Sequence, residues 1–240
     1  MKWITLLCCF LSYQSLAFET PPAFTATYLI KKYDSTIAQT TMALKKTNEH
    51  INFTSSSKAE GLAAIFTSDI ITESSKLKLS ENNNSPYLIE YNYIRKQKPE
   101  KNQTIKIAWN ENNTANIISQ YKKNHTEFNE PHPVWDNHSV QLALMSDINT
   151  AKINDTLHYR VVEKKSLTDY NFKYLGDENI TLNDHNYLTK KIERIHASGK
   201  RTTLIWLATE LANLPIIIEQ HKDKDIHLRM ILKDIKIEAN

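Results

Sequence analysis

Cysteine occurs at only two positions, Cys8 and Cys9, and both lie in the opening stretch Met1–Ala17. That stretch reads as a leader. Lys2 supplies a positive start, Trp3–Leu11 is apolar apart from Thr5, and Ser15-Leu16-Ala17 offers a small-x-small cleavage site. The apolar run is too short to anchor in a bilayer. A lipidated cysteine is the rival assignment, but Leu7 precedes Cys8 and Cys8 precedes Cys9, where lipidation calls for a small residue. The expectation is therefore a signal peptide over 1–17, cleavage after Ala17, and a cysteine-free chain over 18–240. Such a chain has no thiolate nucleophile and no cysteine metal site, and it holds together without disulfides in a compartment that permits them.

Glycine is nearly as scarce, at Gly61, Gly176 and Gly199 only. A dinucleotide fingerprint, a phosphate-cradling loop and a Gly-x-Ser-x-Gly elbow each need clustered glycines, because bare backbone must approach a phosphate or adopt positive φ. All three are excluded. No excess of one charge is present either. Thirty basic residues face 27 acidic ones, for a formal net charge of +3, so the composition predicts no general attraction to nucleic acid. After the leader no apolar run is long enough for a transmembrane helix. Roughly 220 residues remain, ample for one domain with its own core.

What is present is a period of two. Alternating runs cover Phe24–Ile30, residues 36–46, Ile51–Phe53, Ser68–Leu79 and Tyr87–Tyr93. They continue with Ile105–Trp109, Ile117–Tyr121, Leu157–Glu163, Asp169–Leu175, Tyr187–His196, Arg201–Ala208, Leu214–His221 and Ile226–Ile237. Short polar turns separate them, which favours antiparallel pairing. Residues 61–66 read as a helical turn, 122–134 as a seam. In the last run the apolar face passes from Leu228, Met230 and Leu232 to Ile235 and Ile237, so a bulge is expected near Lys233-Asp234.

One segment breaks the alternation. Val140, Leu144 and Ile148 recur at four-residue intervals, which predicts one helix over about 136–148. Asp136 is placed to cap it, and Trp135 with Val140 to form a hydrophobic staple across its entry. The neighbouring Asp136, His138 and Ser139 do not make a local catalytic triad, because adjacent helical positions point to different sides. His125, His132 and His138 with Glu130 lack any fixed-pitch metal signature, so neither metal nor cofactor is expected.

Several motifs in order carry a resemblance: Ser85-Pro86-Tyr87, Trp135-Asp136-x-x-Ser139-x-Gln141, Tyr170-x-Phe172-x-x-x-Gly176-x-Glu178, Arg201–Ala208 with its Ile205-Trp206-Leu207-Ala208, and Leu214-Pro215-Ile216-x-Ile218-Glu219. Together they resemble an exported, β-rich domain-of-unknown-function family of Gram-negative envelope proteins. The resemblance implies a periplasmic location and a mainly β fold, and it brings no reaction or ligand. One departure stands out: the family has a glycine where this chain has Asn183-Asp184, two residues that also tolerate left-handed turns.

The expected architecture is an antiparallel sheet curled into a half-barrel or open barrel with the 136–148 helix packed on it. Tyr87, Ile89, Tyr91 and Tyr93 alternate on one strand face. That face, with Trp206, is either core or the wall of a concave apolar groove. In the groove reading Tyr91, Tyr93 and Trp206 bind a ligand. Non-catalytic binding of an envelope lipid, glycan or protein client is the leading function, with a possible apolar ligand or envelope protein as partner. An envelope hydrolase whose site assembles only in three dimensions is the second reading, and an assembly factor without a small ligand the third.

Overall fold

Fifteen strands follow one another with almost no helix between them, in a computed structural model that describes residues 20–80, 86–197, 199–222 and 225–238. The leader and its cleavage site lie outside the described residues. The first eight strands are β1 (Phe24–Lys32), β2 (Ser35–Lys46), β3 (His50–Ala59), β4 (Ile70–Leu79), β5 (Pro86–Arg95), β6 (Gln103–Trp109), β7 (Ala115–Tyr121) and β8 (Asn124–Glu130). A four-residue helix, α1 (Ala63–Phe66), interrupts the β3–β4 connection. Then come β9 (Val134–Asp136), the main helix α2 (Val140–Asp147), β10 (Thr156–Glu163), β11 (Ser166–Leu182), β12 (His185–Ile195), β13 (Arg201–Ala208), β14 (Leu214–Lys222) and β15 (Asp225–Ile237).

All fifteen belong to one sheet, ordered β8-β7-β6-β5-β4-β3-β2-β1-β15-β14-β13-β12-β11-β10-β9. Only the β9–β10 pair is parallel, because only α2 supplies the crossover that parallel pairing needs. The two edge strands are consecutive in sequence. Pro131-His132-Pro133 alone joins the end of β8 to the start of β9, so the sheet must curl until its edges meet. The result is a mainly β protein with a nearly closed, antiparallel, barrel-like sheet and one substantial helix. The buried core runs from Phe24 to Leu232 and includes residues of both halves.

With few glycines, the turns use other residues at positive φ. Asn183 and Asp184 take φ of 52° and 61° in the β11–β12 hairpin, the left-handed pair that a two-residue turn demands. Those are the positions where the family resemblance placed a glycine. The bulge expected near Lys233 is present: Thr27 pairs with Asp234 and Tyr28 with Leu232, leaving Lys233 as the extra residue. Pro215 lies at a second bulge, where Leu207 pairs with it and Trp206 with Ile217. There a missing N–H costs no ladder bond.

Three local expectations need correction. A bulge in β5 pairs Leu77 with Leu88 and Lys76 with Glu90, so Ile89 is extra. The phase change puts Leu88, not Tyr87, on the same side as Tyr91, and the continuous tyrosine face does not form. The presumed seam at 122–134 contains β8 and the start of β9. The helix proper is shorter than 136–148: residues 137–139 form a turn, and α2 spans Val140–Asp147. Val140, Leu142, Ala143, Leu144, Met145 and Ser146 are all buried, so α2 is covered nearly all round rather than on one stripe. It plugs the curled sheet.

Candidate functional site

A cleft of about 1300 Å³ opens at one rim of the sheet. Seven separate stretches of chain contribute to it: the end of β4, the start of β5, the end of β6, the β8–β9 link, the end of α2, the middle of β10 and the start of β11. Its apolar surface consists of Tyr87, Trp109, Trp135 and Tyr159 with Leu79 and three prolines, Pro86, Pro131 and Pro133. Tyr87 and Trp109 meet edge to face with centroids 5.6 Å apart. The Trp109 indole N–H donates to the Leu88 carbonyl at 2.8 Å, which fixes the ring plane.

The same cleft holds a polar network. Arg160 Nε donates to Glu130 Oε2 at 3.0 Å and Arg160 Nη1 to Asp169 Oδ1 at 2.8 Å. His132 adds its backbone N–H and Nδ1 to Glu130 Oε1, at 3.2 and 2.7 Å. Burial pushes the Glu130 carboxyl up, but the bonds from His132 and Arg160 outweigh it and hold it below the usual carboxylate range. Asp147 goes the other way. Burial raises it, against one hydrogen bond from the Tyr159 hydroxyl at 2.9 Å. Both Glu130 oxygens are already engaged by three donors, which leaves little capacity to take a proton from a substrate. The arrangement suits recognition: flat rings for stacking, with fixed planar donors and acceptors between them.

A second polar cluster lies deep inside. Asp136 is wholly buried, and its Oδ1 accepts from the backbone N–H of His138 at 2.7 Å and of Ser139 at 2.8 Å. Its Oδ2 accepts from the Ser139 hydroxyl at 2.7 Å, while the Asp136 N–H donates back to Ser139 Oγ at 3.2 Å. This reciprocal box organises the turn that feeds α2. The Ser75 hydroxyl also donates to Asp136, and His138 Nδ1 lies 3.1 Å from Ser75 Oγ. Serine, histidine and aspartate thus meet, but the serine sits between the other two, and the exposures of Asp136, His138 and Ser75 are 0%, 6% and 1%. A nucleophile needs the histidine in the middle and access to substrate. The cluster is structural. His138 stacks on Phe53 at 4.1 Å, and burial drives its pKa down to about 3. Asp136 is pushed up to about 6 by burial, against the four donors that favour its ionised form.

The structure does not bring the ligand candidates together. Tyr91 is 1% exposed, and its hydroxyl donates to Glu73 at 2.6 Å. Tyr93 is half-buried against the core. Trp206, on β13, donates its indole N–H to Glu178 at 3.0 Å, with the Lys191 ammonium 4.9 Å from the ring centre. None of the three lines the cleft. Trp135 and Val140, expected to staple the helix entry, are both buried, but α2 starts at Val140 with Ser139 as its N-cap, so they do not occupy the staple positions; Trp135 forms part of the cleft wall. Of the cleft's other aromatic residues, Trp109 and Tyr159 carried no signal beyond strand alternation. The histidines also separate: His125 meets Glu127, His132 meets Glu130, and His138 is buried. Among the described residues no group of three or more His, Cys, Asp or Glu is placed to hold a metal, and no helix is long and apolar enough to cross a membrane.

Fold and cleft together define a barrel-like β protein with an aromatic-walled recess at one rim. The chain belongs to the family described as "Protein of unknown function (DUF3108)", whose model matches residues 24–232. It is also similar in fold to the crystal structure of a beta-barrel-like protein of domain of unknown function DUF1849 from Brucella abortus. The TM-score is 0.58 at 6% identity, over 92% of this chain and 99% of that one. At that identity the likeness concerns the fold alone. No curated protein matches the chain.

Proposed function

We propose that this protein is exported to the periplasm and acts there as a non-catalytic binding protein, with an envelope glycan seated in the rim cleft. The observation that carries the reading is the composition of the cleft. Tyr87, Trp109, Trp135 and Tyr159 line it together with Glu130, His132, Arg160 and Asp169. Sugar rings present apolar C–H faces to aromatic rings and hydroxyls to carboxylates and guanidinium, so both halves of this lining find partners. An acyl chain would leave the charged groups dry and unpaired at substantial cost. Export rests on the leader features of Met1–Ala17.

A hydrolase is the second reading, favoured by one observation. Glu130 and Asp147 both line the cleft, and their carboxyls are shifted in opposite directions, Glu130 downward and Asp147 upward. One experiment addresses both. Trp109 and Trp135 line the cleft and Trp206 does not, so tryptophan fluorescence is titrated with soluble peptidoglycan and lipopolysaccharide-core oligosaccharides. Saturable quenching, weakened roughly threefold to tenfold by Trp109→Ala and unchanged in dependence on ligand for Trp206→Phe, supports binding. Recovery of the oligosaccharide intact supports the non-catalytic reading, and a shortened product would replace it with the hydrolase. No quenching by any glycan, with uptake of a fluorescent fatty acid instead, would overturn the glycan assignment.

A further inference from the structure

The rim remote from the cleft has a different chemistry. Connections of an antiparallel sheet alternate between its two ends. Those after β1, β3, β5, β7, β10, β12 and β14 therefore share one rim, opposite the β4–β5, β6–β7 and β8–β9 connections beside the cleft. On this far rim α1 is held out into solvent, with Leu62, Ile65 and Phe66 exposed to 77%, 75% and 87%. Three adjacent apolar side chains left in water on one tip need an explanation.

The tip is firmly based. At its start Gly61 has φ +58°, and a Cβ there would lie 3.0 Å from the Thr36 carbonyl oxygen, so a side chain at this position would be strained and crowded. At its end the buried Asp69 accepts Arg95 Nε at 2.8 Å and the Gln97 N–H at 2.9 Å. Projection of the apolar residues is thus built into the fold. The same bonds bring in the β5–β6 loop, which carries Lys96, Lys98 and Lys101. Asn102 in turn accepts the Lys122 N–H at 3.5 Å, and the ammonium groups of Lys122 and Lys164 lie 5.5 and 5.9 Å from the Tyr121 ring centre. Five lysines, Lys96, Lys98, Lys101, Lys122 and Lys164, thus share this rim with the tip, with Glu100 and Glu163 among them. Lys122 and Lys164 stand at φ 56° and 53°, where glycine or asparagine would be less strained. Positive charge is kept there against local preference.

We propose that this rim docks on an anionic lipid surface, with Leu62, Ile65 and Phe66 entering the headgroup–acyl boundary and the five lysines meeting lipid phosphates. A protein partner fits less well. A stable protein interface needs about 800 Å² on each side, more than the three side chains of this short tip supply. Lysines on flexible stems are point charges that suit a fluid phosphate surface rather than a fixed geometry. Docked in this way, the protein turns its cleft away from the bilayer.

The test uses protein exported in the cell and purified from the periplasm, mixed with phosphatidylglycerol–phosphatidylethanolamine vesicles or with pure phosphatidylcholine vesicles. Flotation with the anionic vesicles, reversed by high salt, is expected, with little on phosphatidylcholine. Phe66→Asp should lower the partition coefficient roughly tenfold to a hundredfold, and Lys98→Glu with Lys101→Glu by roughly thirtyfold or more. Phe66 and Lys98 are exposed and Lys101 is half-buried, so both variants should melt close to the wild type. Wild-type protein that ignores anionic vesicles, or binding that survives both variants, would overturn the proposal. So would a concentration-dependent dimer that Phe66→Asp abolishes in the absence of any vesicle binding.

Discussion

The Ser75 hydroxyl on β4 donates to Asp136 Oδ1 on β9 at 3.0 Å, across 61 positions of sequence. The two strands stand far apart in the order of the sheet, and the bond forms because the curled sheet lays its last strand against its own inner face. Contacts between β5 and β9 lie alongside. A short edge strand thereby becomes core, and Asp136, which orders the entry of α2, is cut off from water.

Asp136 does not cap α2, whose N-cap is Ser139 with no side-chain cap bond; its carboxylate orders the turn ahead of the helix, and burial changes what that is worth. An exposed N-cap contributes about 1 kcal/mol. Asp136→Ala strands the His138 and Ser139 amides and the Ser75 hydroxyl in the interior, and should cost on the order of 3–5 kcal/mol in urea melts. Ser75→Ala removes one donor and should cost about 1 kcal/mol. Equal losses near 1 kcal/mol would show that water reaches this turn.

Acid should act on this cluster in two opposite ways. The folded pKa of Asp136, about 6, lies above its ordinary value of 3.8. Its contribution to stability is present below 3.8 and is lost as pH rises through 6. His138 is depressed from 6.5 to about 3, so its contribution is present above 6.5 and is lost as pH falls toward 3. Between pH 6.5 and 4.5 the wild type should lose roughly 2–3 kcal/mol relative to His138→Gln. Relative to Asp136→Asn it should gain a similar amount between pH 6 and 4. Chemical denaturation across this range measures both, and parallel curves for the three proteins would sink the argument.

Arg160, one strand in from the β9 edge, ties that end of the sheet to the β8 edge. It reaches from β10 to Glu130 at the end of β8, whose side chain is 8% exposed, and to Asp169, which is 67% exposed. Arg160→Ala leaves Glu130 buried without its cation and should cost about 2–4 kcal/mol. It should also speed proteolysis at residues 131–133. Asp169→Ala, removing a solvated partner, should cost under about 0.5 kcal/mol. A reversed order of effects would place the clasp elsewhere.

Processing is checked by intact mass. Protein secreted into the periplasm should begin at Phe18, from the Ser15-Leu16-Ala17 site. A product carrying diacylglycerol on Cys8 or Cys9 would instead make it a lipoprotein.

Strand identity was legible because it is local. Alternation in β1, β2, β6, β7 and β10–β15, the phase change at Lys233, and the left-handed tolerance of Asn183-Asp184 all follow from side-chain period and backbone sterics within a few residues. β8 was not legible. Asn124–Glu130 is exposed at most positions, with Phe128 its only large apolar residue, and it is a strand because β7 offers it a ladder. β9 hid behind two prolines and the expectation of a helix cap at Asp136, and it too is a strand because a neighbour, β10, offers it a ladder. The bulge at Ile89 arises from pairing with β4, so the tyrosines of β5 could not be assigned to one face from their spacing.

The amino-acid sequence by itself determined a glycine-poor, hairpin-rich β chain with one interior helix, since period, turn chemistry and composition act at short range. Only the tertiary structure decided which polar residues would be buried and which aromatic residues would share a cavity. Ser75 meets Asp136, and Trp109 shares a cleft with the Glu130–Arg160 pair, because a fifteen-strand sheet curls until its edges meet at Pro131-His132-Pro133. That closure is a property of the summed twist and bulges of all the strands, and no window of sequence contains it.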